Sequence, residues 1–201
     1  MLTVVGMGPA GLSLMTPAAR DAVERADALV GGIRHLQAFP AFGGETFVLG
    51  ANIPELLAWV EARQEKKVVI VASGDPLFYG IGSRMVAHFG IARVRVIPGI
   101  SAVQYLCAQA GIDMNEIWLT SSHGRSVNID ELVRHRKVAM VTDSQCGPKE
   151  IAAQLVARGK GHRWMVIGEN LAMANERIHW LPVSEVSADY EMNALVILDE
   201  R

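Results

Sequence analysis

Five short apolar runs rich in β-branched residues punctuate the first half of the chain: Leu2–Val5, Ala28–Val30, Thr46–Leu49, Val68–Ala72 and Val94–Ile97. The run VVIVA at 68–72 has no polar side chain at all, so a strand built from it has no face that can rest in water. Helix-like segments lie between these runs, at Pro17–Ala26, Ile53–Glu65, Ile81–His88 and Ser101–Gly111. Thr16 before Pro17, and Asn52 before Ile53-Pro54, supply a capping side chain followed by proline in the first turn. Apolar strands that have lost alternation and are separated by helices predict a mainly parallel sheet.

The pattern breaks near Ala110–Met114. Three further strand-like runs follow at Glu116–Thr120, Val138–Thr142 and His162–Gly168, then two at Glu176–Trp180 and Ala194–Asp199. A short loop and a turn of helix at Pro182–Val186 separate the last two, which are therefore expected to pair as adjacent antiparallel strands. The chain thus reads as α/β with two domains, residues 1–112 on a mainly parallel sheet and residues 113–201 on a mixed one.

Charge and cysteine content narrow the setting. Nineteen basic against twenty-one acidic residues, with no concentrated basic stripe, argue against a nucleic-acid partner. No apolar stretch approaches the length of a membrane span, and the start MLTVVGMG lacks the form of a secretory leader. Cys107 and Cys146 are expected as two free thiols in a reducing compartment, most simply the cytoplasm. The six histidines show no metal-ligand spacing with either cysteine, so no metal site is expected. Trp59, Trp118, Trp164 and Trp180 lie mostly in apolar patterns and are expected in packing roles.

Gly6, Gly8 and Gly11 have the spacing G-x-G-x-x-G. A dinucleotide site also needs a helix starting at the third glycine and an acidic residue ending the next strand. Pro17 stands where that helix would need an N–H, and ALVGG ends in Gly31-Gly32. A dinucleotide-dependent oxidoreductase is the reading from another class, and it is disfavoured. What remains is a tight backbone turn after a strand, and two more such turns follow strands at Ser73-Gly74-Asp75-Pro76 and Pro98-Gly99-Ile100-Ser101. Three Gly/Pro turns after three strands are expected to line one crevice.

Gly6-x-Gly8-Pro9 with Leu14-x-Thr16, Ser73-Gly74-Asp75-Pro76 with Tyr79-Gly80, and Pro98-Gly99-Ile100-Ser101-Ala102 resemble the tetrapyrrole methyltransferase family in order and spacing. The resemblance implies two α/β domains with a cofactor cleft between them, S-adenosylmethionine (SAM) as methyl donor with S-adenosylhomocysteine (SAH) as product, and a homodimer. Leu119-Thr120-Ser121-Ser122-His123-Gly124-Arg125, together with Gly168-Glu169-Asn170-Leu171 and Glu176-Arg177-Ile178, resembles the family branch that methylates C5 of a precorrin-7-type macrocycle, with or without cobalt. In some organisms that branch is fused to a C15-methylating, decarboxylating enzyme; here that activity is expected on a separate polypeptide. Alternatives are a family member of different regiospecificity and a non-catalytic scaffold subunit. Two departures stand out: Ala10 where the family's first loop has glycine, which requires an ordinary backbone angle there, and Leu171-Ala172-Met173-Ala174, which lacks Gly and Pro.

The resemblance assigns SAM binding to Pro9, Gly74, Asp75, Leu77, Gly80, Ser101 and Ala102. Asp75 is the candidate catalytic residue, orienting the macrocycle or helping with the released proton, or else it accepts backbone N–H groups and caps the turn after it. His123 and Arg125 are candidates for the substrate's acetate and propionate carboxylates, for which an arginine fork is suited, or else are solvated loop charges. Glu169 and Asn170 are candidates for SAM binding or for bracing the domain interface.

Overall fold

The computed structural model describes residues 1–201, which divide into two compact units, Met1–Ser101 and Ala102–Arg201.

The first unit runs β1 (Leu2–Gly6), α1 (Pro17–Glu24), β2 (Ala28–Gly31), α2 (Ile33–Gln37), β3 (Glu45–Val48), α3 (Ile53–Glu61), β4 (Val68–Ala72), α4 (Ile81–Phe89) and β5 (Val94–Ile97). Its sheet has the order β3-β2-β4-β1-β5 and every pair is parallel. Val4 stands opposite Ile70 on one side and Val96 on the other. Val4, Val30 and Ile70 pack against Leu56 and Val60 of α3 and Met85 and Phe89 of α4. Val5, Leu29, Val69 and Val71 pack on the opposite face against Ala19 and Val23 of α1, with Leu36 of α2 beside them. Both faces are covered, which is why β1 and β4 are buried at every residue and show no alternation.

The helix starts follow their local chemistry. Thr16 Oγ1 accepts the Ala19 N–H at 3.2 Å and Asn52 Oδ1 accepts that of Glu55 at 3.3 Å. Among the helices of this unit α2 alone, five residues long, went unanticipated, being too short for a helical period to register. Edge strand β3 is mostly exposed, and its Glu45 carboxylate is paired by Arg63 and Lys66.

The second unit runs α5 (Ala102–Ala110), β6 (Trp118–Ser121), α6 (Ile129–Leu132), β7 (Lys137–Val141), α7 (Pro148–Val156), β8 (Trp164–Glu169), β9 (Arg177–Pro182) and β10 (Asn193–Leu198). The sheet order is β6-β7-β10-β8-β9, with β6 and β7 parallel and the other pairs antiparallel, a mixed sheet. Ile129, Leu132, Ile151 and Leu155 of α6 and α7 cover one face, against Met140, Ile167 and Leu195.

One expectation about pairing fails: β9 and β10 are not neighbours, because β8 lies between them and pairs with both. Burial explains the order. Five of the six β10 residues are buried, whereas no β9 residue is, so the more apolar strand takes the interior place and β9 the edge. The turn of helix expected at Pro182–Val186 is a single 3-10 turn at Val183–Glu185. The two units also divide at Ser101/Ala102 and not near residue 112, because α5 packs on the second sheet. There Leu106 lies so close to Gly168 that a Cβ on that glycine would come within 2.8 Å of Leu106 Cδ1. No helix is long and apolar enough to cross a membrane.

Candidate active site

Parallel pairing puts the carboxyl ends of β4, β1 and β5 side by side, and the three glycine turns meet there. A Cβ on Gly6 would lie 2.5 Å from the Gly74 carbonyl oxygen and 2.5 Å from Gly99 Cα, and a Cβ on Gly99 would collide with the same Gly74 oxygen. The three turns therefore pack main chain on main chain, and glycine is the only residue the contact admits. Met7 N–H donates to Ala72 O at 2.9 Å and Gly8 N–H to Gly74 O at 3.4 Å. Gly8, Gly11 and Gly74 hold left-handed angles, at φ +73°, +60° and +66°. Ala10, at φ −87° and ψ 14°, has the ordinary backbone its methyl group needs. Pro9, half-buried, stands between Gly8 and Ala10 at the turn's apex.

A dinucleotide site is not formed here. Only a 3-10 turn at Gly11–Ser13 follows the loop, α1 waits until Pro17, and β1 lies between β4 and β5 instead of beside β2.

Asp75 ties the turns together. Its Oδ1 accepts the N–H groups of Leu77 (2.8 Å) and Phe78 (3.1 Å), and its Oδ2 accepts that of Gly99 (3.1 Å) in the next loop. Both carboxylate oxygens thus accept backbone N–H groups, and Oδ1 caps the turn that follows. Beyond Asp75 the loop folds tightly on itself. Gly82 N–H donates to Pro76 O at 2.9 Å, and a Cβ on Gly80 would lie 2.6 Å from that same oxygen. The loop presents Leu77, 53% exposed, and Tyr79, which is 40% exposed and left-handed at φ +54°. A non-glycine residue in that region is strained, and such strain collects at ligand sites. Ser101 is buried, and Ala102 opens α5.

In the second unit, His123 and Arg125 are exposed in the loop that leaves β6. Ser121 Oγ accepts the His123 N–H at 3.0 Å, and Ser122 Oγ donates to Cys146 O at 2.7 Å. The residue that fixes this loop is Asp143, which the sequence reading did not single out. Its Oδ1 accepts the N–H groups of Gln145 (2.9 Å) and Cys146 (3.1 Å), and its Oδ2 that of Gly124 (2.7 Å). These backbone donors, Gly124 first, hold the Asp143 carboxyl below the usual aspartate range. The pattern repeats that of Asp75: one oxygen closes its own turn and the other straps the neighbouring loop. A signal was available, since VAMVTDSQCGP, like VIVASGDP, is an apolar strand followed by Asp near Gly and Pro.

Glu169 ends β8 and Asn170 follows it, and both are buried. Glu169 Oε1 accepts the Glu191 N–H at 2.8 Å, and its Oε2 lies 3.2 Å from His179 Nε2. The Glu191 amide first, and His179 after it, lower the Glu169 pKa despite the opposing effect of burial. Tyr190 packs edge-on against His179, and burial followed by the Glu169 charge pushes its phenol up. Asn170 Nδ2 donates to Glu191 Oε2, and the Glu176 carboxylate accepts the Ala172 N–H. Asn170 and Ala172 are both left-handed, at φ +50° and +63°, so the stretch without Gly or Pro still makes a sharp turn. His179, Tyr190 and Glu191 escaped the sequence reading because only the β8–β9 register and the turn before β10 bring them together.

The sequence matches the Tetrapyrrole (Corrin/Porphyrin) Methylases over residues 1–187, and the chain belongs to this family of methyltransferases. It is 76% identical over 201 residues to the cobalt-precorrin-7 C(5)-methyltransferase of Salmonella typhimurium, covering 100% of both chains. It is 29% identical to the decarboxylating precorrin-6Y C(5,15)-methyltransferase of a Sinorhizobium species, over 88% of this chain and 44% of that one. A uroporphyrin-III C-methyltransferase from Thermus thermophilus, solved in complex with S-adenosylhomocysteine, has the same fold, with a TM-score of 0.79 at 19% identity over 98% of this chain and 96% of that one.

Two outcomes follow from these contacts. Gly6→Ala should destabilise the protein by about 1–3 kcal/mol in urea denaturation, since backbone must shift to admit the methyl group. Gly50→Ala, where nothing lies within 4 Å of the added carbon, should stay within about 0.5 kcal/mol of wild type. For Asp143, the folded-state pKa lies below the unfolded value, so its ionisation stabilises the fold above the reference of 3.8. That contribution is lost as pH falls through the lowered native value. Urea midpoints of wild type and Asp143→Asn should therefore differ at neutral pH and converge as pH drops below 3.8.

Proposed function

We propose that this chain transfers a methyl group from SAM to C5 of cobalt-precorrin-7 in cobalamin biosynthesis. The observation that carries the reading is full-length identity of 76% to a protein named for that reaction. It is joined to a first unit whose three glycine turns form a main-chain cradle at the carboxyl edge of a parallel sheet. Open α/β sheets bind ligands at that edge.

The step is a displacement at carbon. A nucleophilic carbon of the macrocycle forms a bond to the methyl group while the sulfur–methyl bond breaks, and sulfur keeps the electron pair as SAH. A sulfonium is already activated, so the protein's task is alignment of the two partners. Pro9, Gly74, Leu77, Gly80, Ser101 and Ala102 form the SAM-binding set. Main-chain groups at the outer side of the glycine turns, held in place by the backbone contacts among them, meet the ligand. Asp75 acts by holding the β4 and β5 loops in register, both of its oxygens being taken up by backbone N–H groups. His123 and Arg125, exposed on a loop fixed by Asp143, receive peripheral carboxylates of the substrate. Glu169 and Asn170 shape the left-handed turn after β8 for ligand contact.

A relative matched over its whole length is named for C(5) methylation alone, whereas the Sinorhizobium relative is named for C(5,15) methylation with decarboxylation, and this difference of names supports a separate protein as the C15-methylating and decarboxylating partner. A homodimer is the assembly that family resemblance implies, and the free thiols Cys107 and Cys146 suit the cytoplasm.

Calorimetric titration with SAH, with NAD and FAD as controls, tests the cofactor. Saturable SAH binding with both controls silent is expected, and a folded protein that ignores SAH would refute the reading. Asp75→Ala should weaken SAH binding about tenfold or more, because three N–H groups lose their acceptor and the loops their register. Incubation with cobalt-precorrin-7 and labelled SAM should then put the label on C5; label at another carbon would identify a family member of different regiospecificity.

A further inference from the structure

The segment Gly31-Gly32-Ile33-Arg34-His35 leaves β2 at the same edge of the sheet as the glycine cradle, since β2 runs parallel to β4 beside it. Nothing in the reading above uses it. Its histidine is unusual. His35 Nδ1 is buried with no hydrogen-bond partner, and a Cβ on Gly32 would lie 3.7 Å from it. A Cβ on Gly31 would press on the root of this side chain, 3.3 Å from His35 Cβ. Nε2 is not among the buried unpartnered atoms and makes no hydrogen bond in the protein, so it is the ring nitrogen left open to solvent.

These facts select a tautomer. A buried N–H without an acceptor costs more than an unused lone pair, so the proton of the neutral ring belongs on Nε2. Burial first, and the nearby Arg34 charge second, lower the His35 pKa and keep the ring neutral at physiological pH. The outward face of His35 is therefore a fixed N–H donor. Beside it, Arg34 is exposed and makes no ion pair, and Ile33 is 63% exposed. An apolar step, a cation and a neutral donor in consecutive residues suit the rim of a flat apolar macrocycle that carries carboxylates.

We propose that Arg34 and His35 bind a peripheral carboxylate of the tetrapyrrole substrate, Arg34 through its charge and His35 through Nε2–H, with Ile33 against the ring face. The proposal rests on the methyltransferase reading and adds a substrate-positioning element on β2 to it.

The test compares wild type, His35→Leu, His35→Gln and Arg34→Gln in methylation of cobalt-precorrin-7, with SAH affinity by calorimetry and the thermal midpoint of each protein. His35→Leu should raise KM for the macrocycle about tenfold, the value of one hydrogen bond to a charged group. Its kcat should change less than KM, and its SAH affinity should be that of wild type. His35→Gln keeps a side-chain N–H donor and should recover most of the loss. Arg34→Gln, an exposed change that leaves the fold intact, should raise KM independently. Wild-type KM in Arg34→Gln or in His35→Leu would overturn the proposal. So would equal loss in the Leu and Gln variants accompanied by a lowered thermal midpoint, which is the mark of a merely structural histidine. Wild-type protein that binds no SAH would overturn the underlying reading as well.

Discussion

A carbonyl oxygen and two α-carbons meet at the carboxyl edge of the first sheet, and there is no room for another atom. Gly6, Gly74 and Gly99 come from three neighbouring strands, and the contact among them sets how the loops after β1, β4 and β5 leave the sheet. Every other feature of this edge depends on that packing. Gly8 can reach the Gly74 carbonyl only because Gly6 has let the chain descend onto it. Asp75 can reach Gly99 only because the β5 turn lies against the β4 turn. The sheet supplies the order of the strands, with β1 in the place flanked by the two partners it needs.

The aspartate straps are the second layer of control. Asp75 and Asp143 stand just past the ends of β4 and β7, and each uses one oxygen on the N–H groups two and three residues ahead and the other on a glycine of the adjacent loop. The two units differ in sheet, one wholly parallel and one mixed, yet solve the same problem with the same bonds. The problem is a general one: a loop between a buried strand and a helix carries main-chain donors that have lost water, and a carboxylate satisfies several at once.

Most of the first unit was legible because its signals are local. Thr16 and Asn52 cap the helices that follow them, and VVIVA is a strand wherever it is placed. The three glycine turns were recognisable as one group, since parallel strands bring their ends together and glycine marks close approach. Legibility fell where structure depends on partners distant in the chain. The order of β8, β9 and β10 is decided by comparative burial in the finished sheet, and no short stretch of sequence states it. Asp143 is a lone acid in a polar loop until Gly124 arrives from the neighbouring turn. Asp75 shows the opposite limit: its importance was plain from SGDP, but only its hydrogen bonds reveal that it ties the β4 loop to the β5 loop.

The cradle is written in the main chain, and this has a consequence for how such a scaffold diversifies. Shape at the carboxyl edge is set by glycine contacts and carboxylate straps that involve no outward-facing side chain. Leu77, Ile33 and Arg34 stand exposed on the loops around it, and their side chains take no part in the glycine contacts. The contacts that hold this edge and the side chains that rim it are thus separate sets of atoms, so the rim can change its chemistry while the main chain beneath keeps its shape.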